Sequence, residues 1–434
     1  MPSNQELAMR LFLQLVVILG VSRGAGLLLR YLGQTQVVSE MIAGVLLGPS
    51  FFGLIAPSLQ KSLFPTSLTL TFDGARTSIT HPSMTILFAL SQLGLVLYMF
   101  IIGLQLNTAL LSKHLKQAST LSISGILTPM LFGGTLGFIL SHDIRLFPAN
   151  IAPWQAALFM ASAMLITAFP MLARIIYESG IANTKIGTLT LCAAAVDDSV
   201  AWILVAIVLA TAKNSPAIAV LAIGGGIVFT VTMLFFGRPI FRLFDHPNIK
   251  NNTRRILSVL FLILMLGAWF TDVIGIYSIF GAFMVGAVMP RGQFANEVCR
   301  LIEDLDAALL LPIFFVYSGL NTQIGLLVEP SLLWVTVITI TIAFVSKGGA
   351  CSLATFLGGG GNFREAAMIG ALMNARGLIE LILTNIGLEN HLISPTLFTI
   401  LVLMAIVTTV AASPLFKLFY RVPTGRIQRL GEGE

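Results

Sequence analysis

Apolar residues run along this chain in blocks of about twenty, separated by short polar or Pro- and Gly-rich breaks. Thirteen blocks are read, at about 6–30, 36–55, 84–106, 116–140, 154–178, 184–211, 216–243, 252–271, 276–290, 299–320, 332–357, 365–389 and 394–419. A membrane-spanning helix needs roughly 20 residues, so each block predicts one crossing, helix 1 to helix 13 in chain order. Helices 2 and 9 are short or interrupted. Residues 56–83 read as the longest loop. The predicted fold is an all-α membrane protein with about 13 transmembrane helices, a single domain over 1–434 with no soluble regulatory part.

The blocks also repeat. Helix 2 carries EMIAGVLLGPSFFG and helix 9 carries SIFGAFMVGAVMP, each with two small residues ahead of a terminal proline, Pro49 and Pro290. Helix 3 ends FIIGLQLNT and helix 10 ends FVYSGLNTQ. Taken in order, helices 1–6 (about 6–211) match helices 8–13 (about 252–419), with helix 7 (216–243) as linker. The offset of seven helices is odd, so the two copies cross the membrane in opposite directions. Such an inverted-topology repeat is typical of secondary transporters.

Composition narrows the class. The 434 residues are 56% hydrophobic and 10% charged, with mean hydropathy +0.92. Soluble domains have about 45–50% and about 25%. An ordinary soluble enzyme, a disordered chain and a nucleic-acid binder are excluded. The net charge of +6 is first a topology signal. With the N-terminus outside, sixteen Lys and Arg fall on the cytosolic side and five on the outer side. The positive-inside rule then predicts an outer N-terminus and a cytosolic C-terminus, as in a bacterial inner (cell) membrane. The N-terminus lacks a signal-peptide pattern, so the first block is expected to be retained. Cys192, Cys299 and Cys351 form no disulfide framework, and the five histidines show no metal spacing. No phosphate loop, dinucleotide fingerprint or nucleophile elbow is present. No enzymatic activity and no cofactor are expected.

In so apolar a chain, ionisable residues at mid-span stand out, each costing about 2.5–3.5 kcal/mol to insert. Asp197 and Asp198 sit at the centre of helix 6, in AAAVDDSVAW. Neighbouring helical residues point about 100° apart, so one carboxylate can face a cavity and the other a partner helix. A mid-membrane carboxylate binds a proton or, ionised, a hard cation such as Na+, and the two compete. Lys347 lies mid-span in helix 11, about ten residues or roughly 15 Å from the nearer end, too deep to snorkel. Asp197 or Asp198 is its natural partner. Helix 5 carries Thr167 and Pro170 at mid-span, where proline removes a backbone donor. Its repeat mate, helix 12, is interrupted by Asn374, Arg376, Gly377 and Glu380. Interrupted helices at matching positions point to a midplane site. Freed carbonyls and the Thr167 hydroxyl are candidate cation ligands, with Arg376 and Glu380 compensating the half-helix ends. Ser119, Ser122, Ser124 and Thr128 read as small packing residues of helix 4. Glu40, Asp272, Glu303, Asp304 and Asp306, near helix ends, read as solvated.

TAFPMLARII, AAAVDDSVAW and NARGLIELILTNIG together resemble the monovalent cation:proton antiporters, in the branch with bacterial sodium/proton antiporters, potassium efflux systems and plant cation/proton exchangers. The resemblance spans roughly residues 10–420. It implies a thirteen-helix fold with two discontinuous, crossing helices, a mobile core of helices 4–6 and 11–13, and a panel that dimerises. It implies that Asp198 binds the cation or protons, that Asp197 pairs with Lys347, and that exchange is electrogenic. Na+/H+ antiport by alternating access is the implied function, in the membrane lipid as a homodimer. K+/H+ antiport and an uncoupled cation channel are the alternatives. Two positions depart from relatives: Asp197, where plant exchangers more often have Asn, and Gln105, where many carry an acid.

Overall fold

The computed structural model describes residues 2–31, 34, 36–72, 75–105, 115–181, 184–212, 216–242, 253–290, 292–320, 322–327, 329–358 and 362–420. Every apolar block forms a helical rod. The first half contains α1 (Asn4–Arg30), α2 (Gln36–Leu47), the short α3 (Phe52–Ile55) and α4 (Pro57–Leu63), α5 (Pro82–Gln105), α6 (Leu115–Leu140), the half-helices α7 (Pro153–Leu165) and α8 (Phe169–Glu178), and α9 (Lys185–Ala212). The linker α10 (Pro216–Thr232) continues through a π turn to Arg242. The second half contains α11 (Thr253–Val273), α12 (Ser278–Val288) and α13 (Gln293–Leu305), which runs through a π turn at Asp306–Leu310 into α14 (Leu311–Leu320). Then come α15 (Pro330–Phe344), the π turn Val345–Gly349, α16 (Ala350–Leu357), the half-helices α17 (Phe363–Met373) and α18 (Leu378–Glu389), and α19 (Pro395–Phe419). Seven of the described helices are each long and apolar enough to cross a bilayer. Large apolar side chains such as Phe12, Phe235 and Trp334 lie exposed on the outside of the bundle, where only lipid would be a favourable solvent.

Helix starts follow local chemistry. Ser3 caps α1: its hydroxyl accepts from Glu6 N at 3.2 Å, and Glu6 Oε2 accepts from Ser3 N at 2.8 Å. Proline opens α7, α15 and α19, where its missing N–H would have had no helical partner.

Residues 56–83 are not a plain loop. Besides α4 they hold an antiparallel hairpin, β1 (Ser67–Phe72) and β2 (Ala75–Thr80), with Ser67 opposite Thr80 and Phe72 opposite Ala75. Alternating SLTLTF and ARTSIT around Asp-Gly is a strong hairpin signal that the loop expectation overlooked.

The helices pack in two groups. One gathers α6–α9 with α15–α19, and the other α1, α2 and α5 with α11, α12 and α14. These are the core and the panel. In the panel, glycines let backbones touch: a Cβ on Gly44 of α2 would stand 2.5 Å from Phe315 O of α14, and Gly319 of α14 faces Gly44 in return. Gly103 of α5 and Gly286 of α12 meet in the same reciprocal way. Helix 2 thus seats on helix 10, and helix 9 on helix 3. The matched segments exchange partners, as a pseudo-two-fold axis requires.

Candidate functional site

Both breaks fall inside the core and they cross. The first covers residues 166–168, between α7 and α8; the second covers 374–377, between α17 and α18. Ala168 N donates to Ala375 O at 3.0 Å, joining the two unwound segments backbone to backbone. Gly377 makes the crossing possible, because a Cβ there would lie 3.0 Å from Met171 Cγ and 3.3 Å from Ala168 Cβ. Pro170 closely follows the first break, where its missing N–H leaves a backbone acceptor unpaired. It stands in the first turn of α8, where proline is tolerated, so it starts the second half-helix rather than kinking a continuous one. The side chains of Pro170 and Asp198 lie outside the described residues. Asp198 follows Asp197 along α9.

Asp197 is fully buried and accepts three side-chain hydrogen bonds. Lys347 Nζ donates to Oδ2 at 2.8 Å, Thr167 Oγ1 to Oδ2 at 3.0 Å, and Ser122 Oγ to Oδ1 at 2.5 Å. Lys347, also fully buried, donates as well to the carbonyl of Leu165. The π turn Val345–Gly349 carries this lysine. It therefore links α9 to the end of α7, neutralising a buried carboxylate and one bare carbonyl together. Ser122 is a site residue that the sequence reading placed among the packing serines. Its only signal was position, near the middle of a core helix.

Arg376 completes the end of α7. A helix leaves its last four carbonyls unpaired, at the negative end of its dipole. Arg376 Nη1 donates to Ala163 O at 2.8 Å and Nη2 to Met164 O at 2.7 Å. With Lys347 on Leu165, three successive carbonyls each receive a cationic donor. Glu380 lies 3.6 Å from Arg376 Nη1, one turn further along and equally buried, with no hydrogen-bond partner for either oxygen. Asn374 Nδ2 donates to Gly370 O at 3.0 Å, and its Oδ1 has no partner. The structure thus brings Asp197, Thr167, Lys347, Arg376, Glu380, Asn374 and Gly377 to one crossing.

Two residues read as solvated are not: Glu40 and Asp306 are buried, whereas Glu303 and Asp304 are exposed. Acidic residues near a helix end look alike in sequence. The face each presents decides. Among the described residues no three His, Cys, Asp or Glu gather as a metal cluster. Among the described residues the oxygens around the break are the carboxylates of Asp197 and Glu380, hydroxyls and carbonyls, all hard donors of the kind that suit a hard cation or a proton.

The family model for the sodium/hydrogen exchanger, transmembrane, matches residues 16–420. The chain belongs to the sodium/hydrogen exchanger family. Within it, the chain is 39% identical over 414 residues to the Na(+)/H(+) antiporter NhaS4 of Synechocystis sp., covering 94% of this chain and 97% of that protein. It is 35% identical over 428 residues to the Cation/H(+) antiporter 18 of Arabidopsis thaliana, covering 97% of this chain and 50% of the plant protein. The chain spans about half the length of that relative. Its fold matches the sodium proton antiporter MjNhaP1 from Methanocaldococcus jannaschii with TM-score 0.66 at 15% identity, over 100% of both chains. The architecture is therefore the all-α exchanger fold of an integral multi-pass membrane protein, and the crossing breaks lie at its centre.

Proposed function

We propose that the chain is an electrogenic Na+/H+ antiporter of a bacterial inner membrane, working by alternating access as a homodimer with its N-terminus outside. The observation that carries the reading is the fully buried Asp197–Lys347 pair, seated at the crossing of two broken helices. The 39% identity to a Na(+)/H(+) antiporter over nearly its whole length supports the class.

Asp198 binds the exchanged ion. Asp197 already accepts from Lys347, Thr167 and Ser122, and neighbouring helical residues project about 100° apart, so the two carboxylates serve different directions. Na+ and H+ compete for Asp198, so one leaves before the other enters. Asp197–Lys347 is the second proton-linked element: when the pair separates, the lysine releases its proton to the side the site then faces, and it takes one up again when the pair re-forms. Two proton-linked elements against one Na+ make the cycle move net charge. Thr167 and the carbonyls of the break supply neutral oxygens for Na+, while Arg376 and Glu380 hold the half-helix ends at that point. The repeats, about 6–211 and 252–419, supply two pseudo-symmetric arrangements of core against panel, open to opposite sides.

The test uses purified full chain in proteoliposomes with an imposed pH gradient and an entrapped pH dye. Added Na+ should collapse the gradient, and an imposed membrane potential should change the rate. Asp198→Asn should abolish the response. Unchanged exchange in Asp198→Asn would refute the assignment, and cation flux without proton movement would make the chain a channel. Running Na+, Li+ and K+ in parallel identifies the cargo; a response to K+ alone would replace Na+.

A further inference from the structure

Outside the crossing, the structure buries a second carboxyl with no partner. Asp306 opens the π turn between α13 and α14, is wholly inaccessible, and has no hydrogen-bond partner for either carboxyl oxygen. Two contacts fix its level against α5. Leu310 lies on Gly94, where a Cβ would stand 2.6 Å from Leu310 Cβ, and Gln105 Nε2 reaches Cys299 Sγ at 3.6 Å. The two helices run antiparallel, so Asp306 is level with Tyr98. Tyr98 in turn packs against the apolar cluster that joins Ile102 of α5 to Leu121, Phe169 and Ala193 of the core. Asp306 therefore stands in the panel, one helix away from the junction with the core.

Among the described residues no hydrogen bond or ion pair offsets a charge at this position. Glu40 on α2, a like charge, is also buried, with Oε1 accepting from Gln36 Nε2 at 2.9 Å. α5 carries no charged residue between Pro82 and Gln105, and its titratable group is Tyr98. On the same rod Glu297, Arg300, Glu303 and Asp304 are exposed, and Tyr317 is half-buried further on. On α1, Arg23 and Arg30 are exposed and Arg10 is bonded to Ser62 O. An isolated carboxylate in such surroundings loses its hydration without compensation and takes up a proton instead.

We propose that Asp306 is a second proton-binding site, in the panel and separate from Asp197–Lys347, and that holding its proton sets the alkaline limit of transport. The packing accepts the neutral acid. When the proton leaves at high pH, a charge without donors forces the rod open to water beside the junction, and the panel no longer guides the core. Glu40 delays that event by opposing the new charge.

Infrared spectroscopy of the purified full chain in H2O and D2O tests the site. Asp306→Asn, isosteric with the neutral acid, should fold normally and lose one protonated-carboxyl band, which Asp197→Asn retains. The vesicle assay, which rests on the antiport reading, tests the role. Asp306→Asn should keep exchange going to a pH higher by about one unit or more, and Glu40→Gln should lower the limit. Loss of no protonated-carboxyl band in Asp306→Asn overturns the site; coincident alkaline limits in all three chains overturn the role. An unaltered chain that moves no protons refutes antiport, while the infrared band still decides the site.

Discussion

Removing Lys347 should be costly, and removing its partner as well should return part of the cost. Lys347 makes two buried hydrogen bonds, to Asp197 Oδ2 and to Leu165 O. Bonds to charged groups contribute about 1.5–3 kcal/mol each, which gives about 3–6 kcal/mol for Lys347→Ala. That agrees with the about 3–5 kcal/mol found when one partner of a buried ion pair is deleted. Most of the loss is the Asp197 charge left with two hydroxyl donors. In Lys347→Ala combined with Asp197→Asn that charge is gone, and the remaining loss is the Leu165 carbonyl, about 1–3 kcal/mol. Lys347→Ala is then about 2–3 kcal/mol more costly alone than together with Asp197→Asn, and adding the cost of the Asp197→Asn single variant makes the coupling larger still. The assay is reversible unfolding in mixed micelles by SDS titration, on the parent, both single variants and the double. Costs that simply add would refute the argument, since they would mean that the two side chains do not sense each other's charge.

Arg376→Ala should destabilise by about 3–5 kcal/mol in the same titration, because it bares two carbonyls and leaves Glu380 without its counter-charge. Arg376→Lys should restore only part, since an ammonium lacks the planar fork that reaches both oxygens. Gly319→Ala should cost about 1–3 kcal/mol by overpacking against Gly44, whereas Gly20→Ala, with nothing within 4 Å of the new Cβ, should be neutral or mildly stabilising; equal midpoints would contradict the close approach. His81, at the start of α5, takes Ser83 N on Nδ1 at 3.2 Å. Burial first, and then the Arg10 charge, hold its pKa below 6.5. The folded value is depressed, so its contribution is complete above about 6.5 and is lost as pH falls through the folded value. Hydrogen exchange at residues 83–86 should quicken over that range in the parent and stay flat in His81→Asn.

Much of the fold was legible because hydrocarbon imposes strict rules. An apolar block in lipid satisfies its backbone groups as helix, so among the described residues the blocks became helices, two of them split into half-helices at the crossing. The breaks were legible because Thr167 and Pro170, and Asn374 to Gly377, interrupt apolar runs at equal depth. What escaped depends on facing and distance. Ser122 differs from Ser119 and Ser124 only in the direction it points on α6, and Asp306 differs from Asp304 only in the same way. The hairpin at 67–80 escaped because a membrane reading looks for long runs, and this signal has a period of two.

The crossing also sets a timetable for synthesis. Its contacts join distant parts of the chain: Lys347 to Asp197 over 150 residues, and Arg376 to Ala163 over 213. A ribosome adds about 5–20 residues each second, so about 10–40 s separate the emergence of the two sides. Throughout that interval the first repeat sits in the membrane with Asp197 lacking its lysine and the end of α7 lacking its cations. Half of this molecule is thus an unfinished intermediate, and the last helices to be made decide when the first ones are complete.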